Sequence, residues 1–171
     1  MPKRKHDEHL PKRLSKEEIN ELPLIRFQGA IRVADDTKSI TRLAKRLSKQ
    51  RVLGFDVESR PSFSRGPNNP AALLQLATAD QAFLFRLRPL KKLGPLANIL
   101  GDPGIIKAGV AIRDDIKKLC GIEEFEPAGF EDLANLAGNL KIEQTGLRNL
   151  AAIFFGFRIS KSAQLTNWEK N

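Results

Sequence analysis

The sequence predicts an α/β fold, a mixed β-sheet flanked by helices, and three observations carry that prediction. Strand-like apolar runs with hairpin punctuation fill the first half. Strand and helix patterns alternate after residue 100, and two helical segments close the chain. At 171 residues and 41% hydrophobic, the chain is long enough for one domain with a full core and short for two.

Taken in order, LIRFQGAIRV (24–33) alternates apolar and polar residues around Gly29 and predicts a strand or hairpin. Asp35 or Asp36 can cap a helix in which Ile40, Leu43, Ala44 and Leu47 recur at helical spacing to about Lys49. VLGFDVE (52–58) is apolar and β-branched, and the RPSFSRGPNNP that follows is a loop of breakers. AALLQLAT (71–78) and AFLFRL (82–87) flank Asp80-Gln81 as a hairpin, so three successive strands are expected to run antiparallel. The stretch 89–100 has a helical pattern ended by GDPG, and IIKAGV (105–110) is strand-like. Helices are then expected near 112–119, 130–136 and 147–155, the first and last stopped by Gly121 and Gly156.

Residues 1–16 are basic, polar and proline-punctuated, and read as a flexible tail ahead of a domain spanning 17–171. The net charge of +9 favours an anionic partner, with nucleic acid the first candidate. Cys120 is the only cysteine, which excludes an intrachain disulfide and Cys-rich zinc modules. His6 and His9 have no third ligand in reach and do not make a metal site. No apolar run approaches the roughly 20 residues of a membrane span, so no membrane partner and a cytoplasmic location are expected.

Asp56 and Glu58 stand one residue apart in the apolar strand and therefore point to one face. Two anions held side by side among apolar neighbours raise each other's proton affinity unless a cation offsets them, and Mg²⁺ or Mn²⁺ is the natural one. Further oxygen ligands are available in KAGVAIRDDIKKL (107–119), where Asp114 and Asp115 open a helix. Gly109 and Ala111 are small, as a close backbone approach requires.

These segments resemble the DEDD superfamily of 3′→5′ exonucleases, in its branch with ribonuclease D and the Werner exonuclease. FDVE (55–58) resembles the first motif and KAGVAIRDDIKKL the second. FEDL (130–133) and GLRNLAAIFFGFRISKSAQLTNW (146–168) are similar to the segments that follow. The resemblance implies an RNase H-like fold and a hydrolase that removes nucleotides from nucleic-acid 3′ ends with two bound Mg²⁺ or Mn²⁺ ions. It implies that Asp56 bridges both metals, that Glu58 binds one, and that Asp115, or else Asp114, supplies the second-motif ligand. Arg60, Phe63 and Lys161, in loops beside the motifs, are candidate contacts to nucleic acid. The family's third motif, a tyrosine followed by an aspartate, has no counterpart, since the sequence contains no tyrosine. The expectation is a chain that lacks its last helix and is impaired in catalysis. The alternative is a relative that binds nucleic acid without cutting it, and the choice between RNA and DNA stays open.

Overall fold

The computed structural model describes residues 10–59, 70–90 and 92–160. In chain order the elements are helix α1 (Lys16–Glu21), strand β1 (Ala30–Ala34), α2 (Thr37–Leu47), β2 (Val52–Ser59), β3 (Ala71–Ala77) and β4 (Gln81–Arg86). They continue as α3 (Pro95–Leu100), β5 (Ile106–Gly109), α4 (Arg113–Cys120), β6 (Phe130–Asp132), α5 (Leu133–Asn139) and α6 (Leu147–Phe155). The described residues fall into two compact units, one of residues 27–133 and the other of residues 10–26 with 134–160.

The unit of residues 27–133 holds a six-stranded sheet in the order β1-β4-β3-β2-β5-β6. The expected antiparallel series is there: β2 pairs with β3 and β3 with β4 antiparallel, with Asp56 opposite Gln75 and Gln75 opposite Leu84. The other three pairings, β1 with β4, β2 with β5 and β5 with β6, are parallel, which makes the sheet mixed.

Period-2 alternation sends Leu53, Phe55 and Val57 of β2 into the core and leaves Asp56 and Glu58 on the opposite face. The same core takes Leu74 and Leu76 of β3, Phe83 and Phe85 of β4, Ile40, Leu43, Ala44 and Leu47 of α2, and Leu96, Ile99 and Leu100 of α3. The start of α2 is fixed by Asp36, whose carboxylate accepts the Lys38 and Ser39 amides at 2.9 Å each. Lys107 is the one fully buried charged side chain among the described residues. Its Nζ donates to the Asp102 carbonyl at 2.7 Å and lies 5.1 Å from the centre of the Phe130 ring, two partners that lessen the penalty of burying the amine.

Three elements differ from the sequence reading. The strand expected from residue 24 begins only at Ala30, because Leu24 instead bridges to Arg158 in the other unit's own hydrogen-bonding. The helical pattern of 89–100 yields a helix only from Pro95, preceded by Gly94 at φ 56°, a conformation that ends any run of right-handed turns. Residues 130–132, expected as helix, form strand β6 on β5, and the Phe130 ring sits edge-on to Phe55 with centroids 5.1 Å apart. Tertiary pairing has overridden local propensity there.

In the unit of residues 10–26 and 134–160, α1 opens with a reciprocal capping box. Ser15 Oγ accepts the Glu18 amide at 3.1 Å and the Glu18 carboxylate accepts the Ser15 amide at 2.7 Å. The chain just before it is held as well: the Leu14 amide donates to Gln144 Oε1 at 3.1 Å and the Lys12 carbonyl accepts the Glu143 amide at 2.9 Å. Helix α6 stops at Gly156, whose φ of 68° is the left-handed conformation a glycine cap supplies. Among the described residues no helix is long and apolar enough to cross a membrane.

Candidate active site

The site is built in the unit of residues 27–133, where β2 delivers Asp56 and Glu58 to one face of the sheet and the first turn of α4 delivers Asp115. Gly109, the last residue of β5, lets β5 come close to β2. A Cβ there would lie 2.5 Å from the Phe55 carbonyl oxygen and 2.5 Å from Ile112 Cγ2, distances that no side chain tolerates. The chain then turns through Ala111 at φ 57°, a left-handed conformation rare for a residue other than glycine. Asp132 holds that turn: its carboxylate accepts the Ala111 amide at 3.0 Å and the Ile112 amide at 3.3 Å. These N–H groups, at the start of α4, have no partner within the helix, which has no cap from its own N-terminal side chain. Asp132 thereby fixes the direction in which α4 leaves the sheet and projects Asp115.

All three acids hold their protons more tightly than an ordinary carboxyl. For Asp56 the cause is desolvation by the protein around it, although the side chain keeps access to solvent. For Glu58 desolvation comes first, followed by the negative charges of Asp56 and Asp115, with Lys118 opposing. For Asp115 desolvation again leads, and Asp56 adds to it while Lys118 opposes. Glu58 thus lies in the field of Asp56 and Asp115, and Asp115 in that of Asp56. Asp114 faces away: its side chain is 74% exposed, its carboxylate accepts from Lys117 at 3.0 Å, and that hydrogen bond lowers its proton affinity.

Two further side chains complete the arrangement. Gln75 Nε2 donates to Asp56 Oδ2 at 3.1 Å, which helps fix the orientation of that carboxylate. Lys118 Nζ lies 3.6 Å from Asp115 Oδ1 and 2.8 Å from Ser59 Oγ. Among the described residues no three His, Cys, Asp or Glu side chains close around a single point as a finished metal cage. The acids are near enough to feel one another, with Gln75 and Lys118 occupying hydrogen-bonding positions among them. As a donor set, three desolvated carboxylates supply hard anionic oxygens, which suit Mg²⁺ or Mn²⁺.

Of the residues singled out in the sequence, Asp56, Glu58 and Asp115 are brought together and Asp114 is not. Arg60, Phe63 and Lys161 lie outside the described residues. Gln75, Lys118 and Asp132 were not read from the sequence as parts of the site. The signal for Gln75 was a polar residue inside an apolar strand, which the pairing places opposite Asp56. Asp132 carried no local signal, because its partners are 21 and 20 residues away, and although Lys118 stands three residues from Asp115, its bond to Ser59 spans 59 residues.

Comparison with known proteins agrees with this fold. The chain is 29% identical over 157 residues to the bifunctional 3'-5' exonuclease/ATP-dependent helicase WRN of Mus musculus, covering 86% of this chain and 11% of that relative. The fold matches the catalytic core of RRP6 from Trypanosoma brucei with a TM-score of 0.74 at 19% identity, over 88% of this chain and 42% of that one. It matches RNase D of Escherichia coli with a TM-score of 0.68 at 20% identity, over 86% and 38%. The chain therefore spans less than half the length of each of these relatives. A model of the 3'-5' exonuclease family matches residues 31–171, most of the sheet and both acid-bearing elements included, and the chain belongs to that family.

Proposed function

We propose that Asp56, Glu58 and Asp115 form the centre of a metal-dependent 3'-5' exonuclease that hydrolyses the terminal phosphodiester of a nucleic acid. The observation that carries this reading is the meeting of three desolvated acids from β2 and α4, with Glu58 in the field of Asp56 and Asp115, in a chain of the exonuclease family. Mg²⁺ or Mn²⁺ would be held by those three carboxylates, and when bound supplies the positive charge that acidifies water and stabilises the departing 3′ oxygen. The chain's own residues do the rest. Gln75 fixes the orientation of Asp56, and Asp132 fixes that of α4. The solvent access of Asp56 leaves the centre open to a strand end. Water adds through oxygen to the terminal phosphorus, its proton passes to solvent, and the 3′ oxygen of the penultimate nucleotide leaves with the bonding electron pair. The net charge of +9 supports the approach of a polyanion, RNA or DNA.

The test is shortening of 5′-labelled single-stranded RNA and DNA oligonucleotides with Mn²⁺ or Mg²⁺. A ladder losing one nucleotide at a time from the 3′ end, abolished by chelator and by Asp56→Asn, supports the reading. The absence of tyrosine from the sequence favours a second reading, a nucleic-acid-binding relative without the reaction. Retarded migration of either oligonucleotide with no shortening under any metal would select that second reading.

A further inference from the structure

Two lysines follow the acids of α4, and they are used differently. Lys117 pairs with Asp114 on the surface, their side chains 65% and 74% exposed. Lys118 and Asp115 are 22% and 17% exposed, and the Lys118 ammonium is tied to a second element through its 2.8 Å hydrogen bond to Ser59. Ser59, the residue after Glu58 on β2, thus holds the same ammonium whose charge opposes protonation of both Glu58 and Asp115.

We propose that Lys118 is a built-in counter-cation of the acid centre, which holds Glu58 and Asp115 in place while no divalent ion is present and yields when one binds. The proposal rests on the metal-holding role assigned above to Asp56, Glu58 and Asp115. An ammonium fixed beside the carboxylates repels an incoming divalent cation, so Lys118 sets the metal affinity of the centre as well as the order of the empty one. It is a positioning residue: it acts through the acids whose charge it balances.

The test compares wild type, Lys118→Met and Lys118→Arg by calorimetric titration with MnCl₂ and by thermal unfolding at pH 7 in chelator and in saturating Mn²⁺. Lys118→Met is expected to bind Mn²⁺ about three- to tenfold more tightly, to unfold at lower temperature in chelator, and to regain the loss with Mn²⁺. Lys118→Arg keeps the charge and should stay close to wild type in both measurements. Wild-type binding with equal affinity in Lys118→Met would overturn the counter-cation role alone. So would a Lys118→Met protein that fails to fold whether or not Mn²⁺ is present. No Mn²⁺ binding by wild type and by Lys118→Met would overturn the metal assignment and this proposal with it.

Discussion

At the scale of single residues, the acid centre is a place where the fold carries unfavourable electrostatics. Desolvation raises the proton affinity of Asp56, Glu58 and Asp115, and repulsion from neighbouring acids adds to it for Glu58 and Asp115. A carboxyl with a raised folded pKa binds its proton better folded than unfolded. Its contribution to stability is therefore highest at acid pH and is lost as pH rises from the ordinary carboxylate range through the raised folded value. At neutral pH without metal the three acids destabilise the fold, so Asp56→Asn should raise the unfolding temperature at pH 7 in chelator. The gain should shrink toward pH ~4, where the wild-type acid is itself taking up a proton. Thermal unfolding of both proteins across that range measures it, and a gain that grew toward acid pH would contradict the sign. The pairing of Asp56 with Glu58 was legible because period-2 alternation puts i and i+2 on one face whatever the rest of the chain does. The choice between Asp114 and Asp115 was not, since adjacent positions on a helix differ by about 100° and only packing says which one faces inward.

At the scale of elements, the site depends on how α4 leaves β5. Asp132 belongs to β6, and its carboxylate caps the amides of Ala111 and Ile112 across 21 and 20 residues of sequence. Asp132→Ala should cost about 1 kcal/mol, the usual loss when a helix-start acceptor is removed. Because the start of α4 also sets the direction of Asp115, the same substitution should weaken Mn²⁺ binding even though Asp132 is not among the proposed ligands. Denaturant unfolding together with metal titration separates the two effects. A stability loss with unchanged metal affinity would show that the turn does not steer Asp115. Helix α2, the β3–β4 hairpin and α6 were readable locally, from the Asp36 cap, the alternation around Asp80-Gln81 and the glycine stop at Gly156. Strand β6 was not, for FED is too short to show a period and becomes a strand only by pairing with Lys107–Gly109.

At the scale of the whole molecule, the charge and the N-terminal segment can be separated experimentally. The cations Lys3, Arg4 and Lys5 precede residue 10, whereas Ser15 caps α1 and Leu14 and Lys12 bond to the segment 143–144. Deleting residues 1–9 should leave thermal stability unchanged and flatten the log–log salt dependence of nucleic-acid binding by roughly 0.7 for each single-strand phosphate that the shortened chain no longer neutralises. Deleting 1–16 should also lower stability, because it removes the capping box. Equal salt slopes for the full chain and the shorter deletion would assign phosphate binding to the folded units. The division into two units was not legible in the sequence, because one of them joins residues 10–26 to residues 134–160 through hydrogen bonds that span 128, 130 and 136 positions. The central claim, that Asp56, Glu58 and Asp115 hold a divalent ion, is tested most directly by titrating Mn²⁺ into wild type, Asp56→Asn, Asp114→Asn and Asp115→Asn. Binding in wild type and Asp114→Asn, with loss in Asp56→Asn and Asp115→Asn, is the predicted result; binding that survives Asp56→Asn and Asp115→Asn unchanged would contradict it.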